Sequence, residues 1–184
     1  MEAHPEYAAI LPVQNISWYN QLRIDDRVQS YNNFDELDMV AEGFYQQRPH
    51  SMLSTFVADN SCMLIRKEAI EKIGDWDTRY VEHYFEDIDY AYRMQRLGYK
   101  LGIANAVYIH HEGKVTYRNM QKEPYERFCR YRAVFKEKWG FDFSYGCTTR
   151  FDILKHIDLK HPGSAILDIG CSLGANLVFL KNID

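Results

Sequence analysis

Glu86, Asp87 and Asp89 crowd three carboxylates into four residues, the densest chemical feature of the chain. Acids at a helix start meet the positive end of the helix dipole, and each gains a fraction of a kcal/mol there. Crowded acids also repel, and repulsion lifts one pKa toward that of a useful base. A carboxylate tuned this way can take a proton from a hydroxyl. Taken alone, the residues leave the structural and the catalytic readings level. Further along, a strand-like run ends in His110-His111-Glu112-Gly113. A histidine pair there is either an exposed polar turn or a source of metal ligands. Trp76, just upstream of the acids, is either a pocket wall or core beneath the helix.

The elements that must position these groups can be read from spacing. TFVADNSCMLIRKEAIEKIG reads strand, turn, strand, helix, with Cys62 to Ile65 as a buried apolar run. Lys67 to Ile73 is a short helix closed by Gly74. A helix from about Glu86 to Leu97 has acids in its first turn, basic residues in its last and Gly98 as its stop. Tyr99 to Ile103 and Ala106 to Ile109 read as two strands. Glu123 to Trp139 is an amphipathic helix, with Tyr125, Phe128, Arg132, Phe135 and Trp139 on one face and Gly140 at its end. Upstream, Tyr7 to Val13 is a short buried strand, and Pro12 argues that it is an edge or ends there. Residues 15–55 show little periodicity, with one weakly helical stretch, Phe34 to Glu42, and Asn33 as its N-cap. Downstream, Arg150 to Ile157 is a short helix. Ala165 to Ile169 is a buried strand that runs into GCSLG, and Ala175 to Leu180 starts a helix. The fold class is α/β, with a mixed sheet and flanking helices.

Composition bounds the chemistry. The chain has 184 residues, enough for one ordinary domain with a core. A formal net charge of −4 leaves no electrostatic footprint for nucleic acid and no polybasic membrane patch. No apolar run has transmembrane length, and the N-terminus lacks signal-peptide character. Cys62, Cys129, Cys147 and Cys171 form no CxxC pair, so a zinc site is not expected. Dispersed thiols fit a reducing cytoplasm. Fourteen Tyr and three Trp favour an aromatic core over a carbohydrate surface when composition alone decides.

The stretch from Gly74 resembles family 2 glycosyltransferases. There a glycine, an aromatic and an Asp precede an aromatic and Glu-Asp-x-Asp, then an Arg-containing helix ending Gly-Tyr, then a strand into His. The matching residues are Gly74, Trp76, Asp77, Phe85, Glu86, Asp87, Asp89, Arg93, Gly98, Tyr99 and the two histidines. DNSCMLIR, Asp59 to Arg66, resembles the family's preceding strand. The resemblance covers roughly residues 5–140. It implies a GT-A-type domain and transfer of a sugar from a nucleotide-diphospho-sugar to a hydroxyl acceptor. It implies Asp87 as the base of an inverting enzyme and Glu86 as its orienting or acceptor-binding partner. Asp89 would cap the helix or pair with Arg93. Trp76, Tyr80 and Asp59 fall on the acceptor side. His111, with His110 second, is carried over as the ligand of a divalent Mn or Mg ion. The parent of such a chain would be a bacterial enzyme building a surface polysaccharide.

The family's nucleotide-binding half and its Asp-x-Asp have no counterpart here. Asp25-Asp26 follows no apolar strand, and the opening residues resemble the segment after that motif. Residues 1–146 are therefore expected to be the acceptor-side half, inactive alone. LDIGCSLGAN resembles the first motif of class I S-adenosylmethionine-dependent methyltransferases, with Asp168, Gly170, Cys171 and Gly174 matching. Residues 147–184 would be the start of that Rossmann-like domain, its cofactor-binding residues being Asp168, Gly170 and Gly174. An exposed parallel sheet edge there would need a partner, such as another copy of the chain. Two rival functions remain open at this stage. One is a non-catalytic carbohydrate-binding or interaction module. The other is a methyltransferase with an accessory front domain.

Overall fold

A computed structural model describes residues 2–17, 19, 31–81, 84–112, 124–144, 146–157 and 165–183. Asp25-Asp26, Gly113 and Glu123, all used in reading the sequence, lie outside these residues. The chain is a mixed α/β structure built on one four-stranded sheet. In chain order the elements are β1 (Tyr7–Gln14), α1 (Phe34–Gln47), β2 (Met52–Thr55), β3 (Leu64–Ile65), α2 (Lys67–Ile73), α3 (Glu86–Arg96), β4 (Lys100–Ile109), α4 (Pro124–Trp139), α5 (Phe151–Leu154) and α6 (Ala175–Ile183).

The strand order is β2-β4-β1-β3. The central pair, β1 and β4, is parallel, and both outer strands run antiparallel to their neighbours. Buried parallel strands read as near-continuous apolar runs, and YAAILPV is one. Ala8, Ala9 and Leu11 of β1 and Leu101 and Ile103 of β4 are fully buried. Gly102 is needed for close approach, since a Cβ there would run into the side chains of Met52 and Tyr7.

Pro12 did not make β1 an edge strand. β1 is central where β3 pairs with Ala9 and Ile10, but β3 ends there. Pro12 therefore has a ladder on the β4 side only, which tolerates its missing N–H. The pairing slips just past it, from Pro12 opposite Ala104 to Val13 opposite Tyr108. The two strands expected between Tyr99 and Ile109 are one strand, β4, and the irregularity falls where the gap between them was expected.

Asn33 caps α1 as expected, its Oδ1 accepting from Glu36 N at 2.9 Å, and the helix runs on to Gln47. Three expectations fail. Cys62 to Ile65 is not buried: β3 has only two residues, Leu64 is exposed and so is Cys62. Tyr125 is exposed, because the face of α4 that enters the core is Arg127, Tyr131 and Phe135. Ala165 to Ile169 forms no strand, and Leu167 and Ile169 are 84% and 88% exposed. No strand lies beside that segment among the described residues.

Two apolar cores flank α3. Ala91 and Met94 face the sheet with Leu11, Leu101 and Ile103. Phe85 and Ile88 face the other core, with Tyr131, Phe135 and Phe143. The far edge of the sheet is covered by α6. Asn182 Nδ2 donates to Ser54 O and its Oδ1 accepts from Ser54 N, both at 2.8 Å, so one side-chain amide stands in for a neighbouring strand. No helix among the described residues is long and apolar enough to cross a membrane.

Candidate functional site

The first turn of α3 lies between the two cores, and the chain enters it through strained backbone. Tyr84 and Phe85 have φ of 76° and 68°, the left-handed region that bulky residues avoid. Such conformations cost roughly 1–3 kcal/mol each and persist where packing over-determines them. Phe85 is held by its burial against Phe128 and Phe135. No side chain caps α3, so its first peptide N–H groups are open to the acids themselves. Ile88 N donates to Asp87 Oδ1 at 2.8 Å.

The turn after β2 meets this helix end. Asp59 accepts from Ser61 N at 3.1 Å and from Ser17 Oγ at 2.8 Å, which ties the turn to the end of β1. Asn60 Nδ2 donates to Glu86 Oε1 at 3.0 Å. The tertiary structure thus brings Asp59, Glu86 and Asp87 together. Burial, then the nearby Glu86 and Asp59 carboxylates, push the Asp87 carboxyl up to about 8. Hydrogen bonds from the Ile88 and Asn60 backbone pull the other way and are outweighed.

Asp89 has the opposite surroundings. It is 0% exposed and accepts from Arg93 Nε at 3.1 Å, Lys138 Nζ at 3.0 Å and Trp139 Nε1 at 2.7 Å. It therefore pairs with Arg93, one turn on, and also clasps α4. Lys138 Nζ bridges to Asp77 at 2.6 Å, and Arg79 grips Asp77 through Nε and Nη2. The Arg79 guanidinium, with Lys138, holds the Asp77 carboxyl well below the usual range against the effect of burial. Arg93 also reaches the Ile73 and Asp75 carbonyls.

Beside Glu86 opens a depression of about 350 Å³ lined by Asn60, Trp76, Asp77, Thr78, Tyr80 and Val81. Trp76 is 39% exposed. Its ring stacks on Tyr90 at 4.2 Å with 17° between planes. Tyr90 is fixed in turn by its hydroxyl on Gly74 O at 3.0 Å and by the Arg93 guanidinium 4.8 Å from its ring. Trp76 is thus both things the sequence allowed, packed on the helix and part of the pocket wall. Tyr80 is buried beneath the depression, and burial pushes its phenol upward.

Tyr19 is one of two residues that sequence reading missed. Its phenol is pushed far up, first by burial and then by the charges of Asp87, Cys147 and Asp59. It therefore stays protonated beside the carboxylates. Ser17 Oγ accepts from Tyr19 N at 3.1 Å. Nothing local flags Tyr19, because it sits in an aperiodic stretch far from the acids in sequence. Lys138 was missed for a related reason: its partners lie on α3 and the loop before it.

The histidines follow the end of β4. Asn15 exchanges two hydrogen bonds with the His111 backbone, at 2.7 and 3.2 Å, and His111 Nδ1 is 3.4 Å from Ile16 O. His110 Nε2 is 3.2 Å from Glu112 Oε2, and its ring meets Tyr31 edge-on. No group of three His, Cys, Asp or Glu among the described residues could hold a metal ion. These side chains alone do not complete a site for the divalent ion.

The glycine loop before α6 keeps left-handed backbone at Gly170 and Gly174, with φ of 77° and 79°. A Cβ at either position would meet nothing within 4 Å, so conformation and not crowding requires glycine there. Asp168 accepts from Asn176 Nδ2 at 3.2 Å. Among the described residues no strand pairs with the segment in front of this loop.

No protein-family model, curated protein or solved structure matches the chain.

Proposed function

We propose that the chain is the acceptor side of a glycosyltransferase, with Asp87 as the base. The observation that carries this reading is a carboxyl raised to about 8 at a strained helix start, beside a depression walled by an exposed Trp. Perturbed acids of this kind cluster at catalytic sites. Asp87 takes the proton from an acceptor hydroxyl as that oxygen bonds to the anomeric carbon of the donor. The bond from that carbon to the diphosphate breaks, and the nucleoside diphosphate leaves. Glu86, held by Asn60, faces the same depression and orients the acceptor through its hydroxyls. The Asp89 clasp fixes the helix that carries both.

A base with a pKa near 8 is only about a tenth ionised at pH 7. Transfer should therefore rise with pH and level off above about 8. The test is sugar transfer from nucleotide-sugar donors to saccharide acceptors in the full-length protein, with and without Asp87→Asn. Loss of transfer with retained acceptor binding supports the base. A substituted protein that transfers at the original rate removes it.

Glycan binding without turnover is a second reading, favoured by the exposed Trp76 ring. It expects Asp87→Asn to change neither binding nor any rate.

A further inference from the structure

The depression beside Glu86 has a charge character that restricts what can occupy it. Two of its seven lining residues, Asp77 and Glu86, are acids, and none is a cation. The nearest basic groups are committed elsewhere. Arg79 Nε and Nη2 are on the Asp77 carboxylate at 3.0 and 2.8 Å, and Lys138 is held between Asp77 and Asp89. Arg93 is spent on Asp89 and on two backbone carbonyls. The charges that act most strongly on Asp87 are those of Glu86, on this wall, and Asp59. What the depression offers a ligand is a rigid indole, the Asn60 amide, the Thr78 side chain and carboxylate acceptors. Carboxylates accept hydrogen bonds from hydroxyls, and a flat ring takes the apolar face of a pyranose.

Resting on the glycosyltransferase reading above, we infer that the acceptor is an uncharged, hydroxyl-bearing pyranose that seats on Trp76, and that sugars carrying a carboxylate or phosphate at this position are excluded. An anionic substituent would meet the Glu86 carboxylate, while the nearest cations, Arg79 and Lys138, are already paired with Asp77. It would also make Asp87 harder to ionise, so it would suppress binding and proton transfer together. Partial shielding by water limits the repulsion, so the expected discrimination is about tenfold or more at low salt and shrinks as salt is added.

The test titrates the folded chain with matched pairs of disaccharides at pH 7 and low ionic strength. Each pair is a neutral gluco-, galacto- or manno-configured sugar and its uronic acid counterpart. The Trp76 indole N–H resonance is the readout, assigned by its loss in Trp76→Phe. The expected result is that at least one neutral sugar shifts this resonance, with its uronic partner about tenfold weaker or more. Glu86→Gln, which keeps the shape of the side chain, should narrow that gap. A uronic acid that binds through Trp76 as tightly as its neutral partner overturns the inference and leaves the pocket reading standing. If no sugar of either kind moves the resonance, both the inference and the acceptor pocket beneath it fail.

Discussion

Asp87 and Asp89 are two residues apart in the first turn of one helix, yet they live in opposite worlds. Asp89 points toward α4 and receives two cations and an indole N–H, with 0% of its surface exposed. Asp87 points toward the turn after β2, where its neighbours Asp59 and Glu86 carry its own sign. A buried charge that is paired and fully hydrogen-bonded holds structure in place. A half-buried acid facing like charges is a stored proton. The difference separates a structural residue from a catalytic candidate within one turn of sequence.

The largest expected effect falls on function. Asp87→Asn should lower sugar transfer by the ~10²–10⁴-fold typical of losing a general base, measured with the full-length protein. Asp89→Asn should leave the pH dependence of whatever transfer remains unchanged. If the two substitutions give the same pH profile, the division between the acids is wrong.

Stability should divide the other way. Asp89→Ala leaves Lys138, Arg93 and Trp139 facing an uncompensated gap, and should cost about 3–5 kcal/mol in denaturant unfolding. Asp87→Asn should be stabilising in alkali. The unfolded chain ionises this carboxyl near its ordinary value, whereas the folded chain keeps the proton until about pH 8. Between those values the native state binds the extra proton, so stability falls as pH rises. The substitution removes that fall. Its gain should be small at pH 4 and larger by about 5 kcal/mol at pH 9. A gain that is the same at both pH values would mean that Asp87 titrates normally.

The smallest effect belongs to the wall of the depression. Trp76→Ala should weaken binding of a neutral saccharide by about 1 kcal/mol. Its effect on unfolding should be well below that of Asp89→Ala, because the ring is already 39% exposed.

Much of this arrangement was legible in the sequence because it is local. The Asn33 cap, the stops at Gly74 and Gly98 and the acidic first turn of α3 are all written within a few residues of where they act. The pairing of Asp89 with Arg93 follows from helical spacing. What escaped is long-range. Tyr19 and Asp59 reach Asp87 only through tertiary packing, with Ser17 Oγ, just past β1, donating to Asp59 in the turn after β2. Lys138 finds Asp89 only because α4 packs along α3. Apolar pattern also misled: in CMLI only Met63 and Ile65 pack against the core, and AILDI pairs with no strand among the described residues. The left-handed Tyr84 and Phe85 had no signal at all, since neither residue favours that conformation.

The central claim is that Asp87 holds a proton near neutral pH because burial, and then the Glu86 and Asp59 carboxylates, disfavour its charge. The most direct measurement is a carbon-detected NMR titration of the Asp87 side-chain carboxyl in the folded chain, repeated with Glu86→Gln. The account predicts a midpoint near 8 that moves down when the Glu86 charge is removed. A midpoint near 4, the same in both proteins, would contradict it.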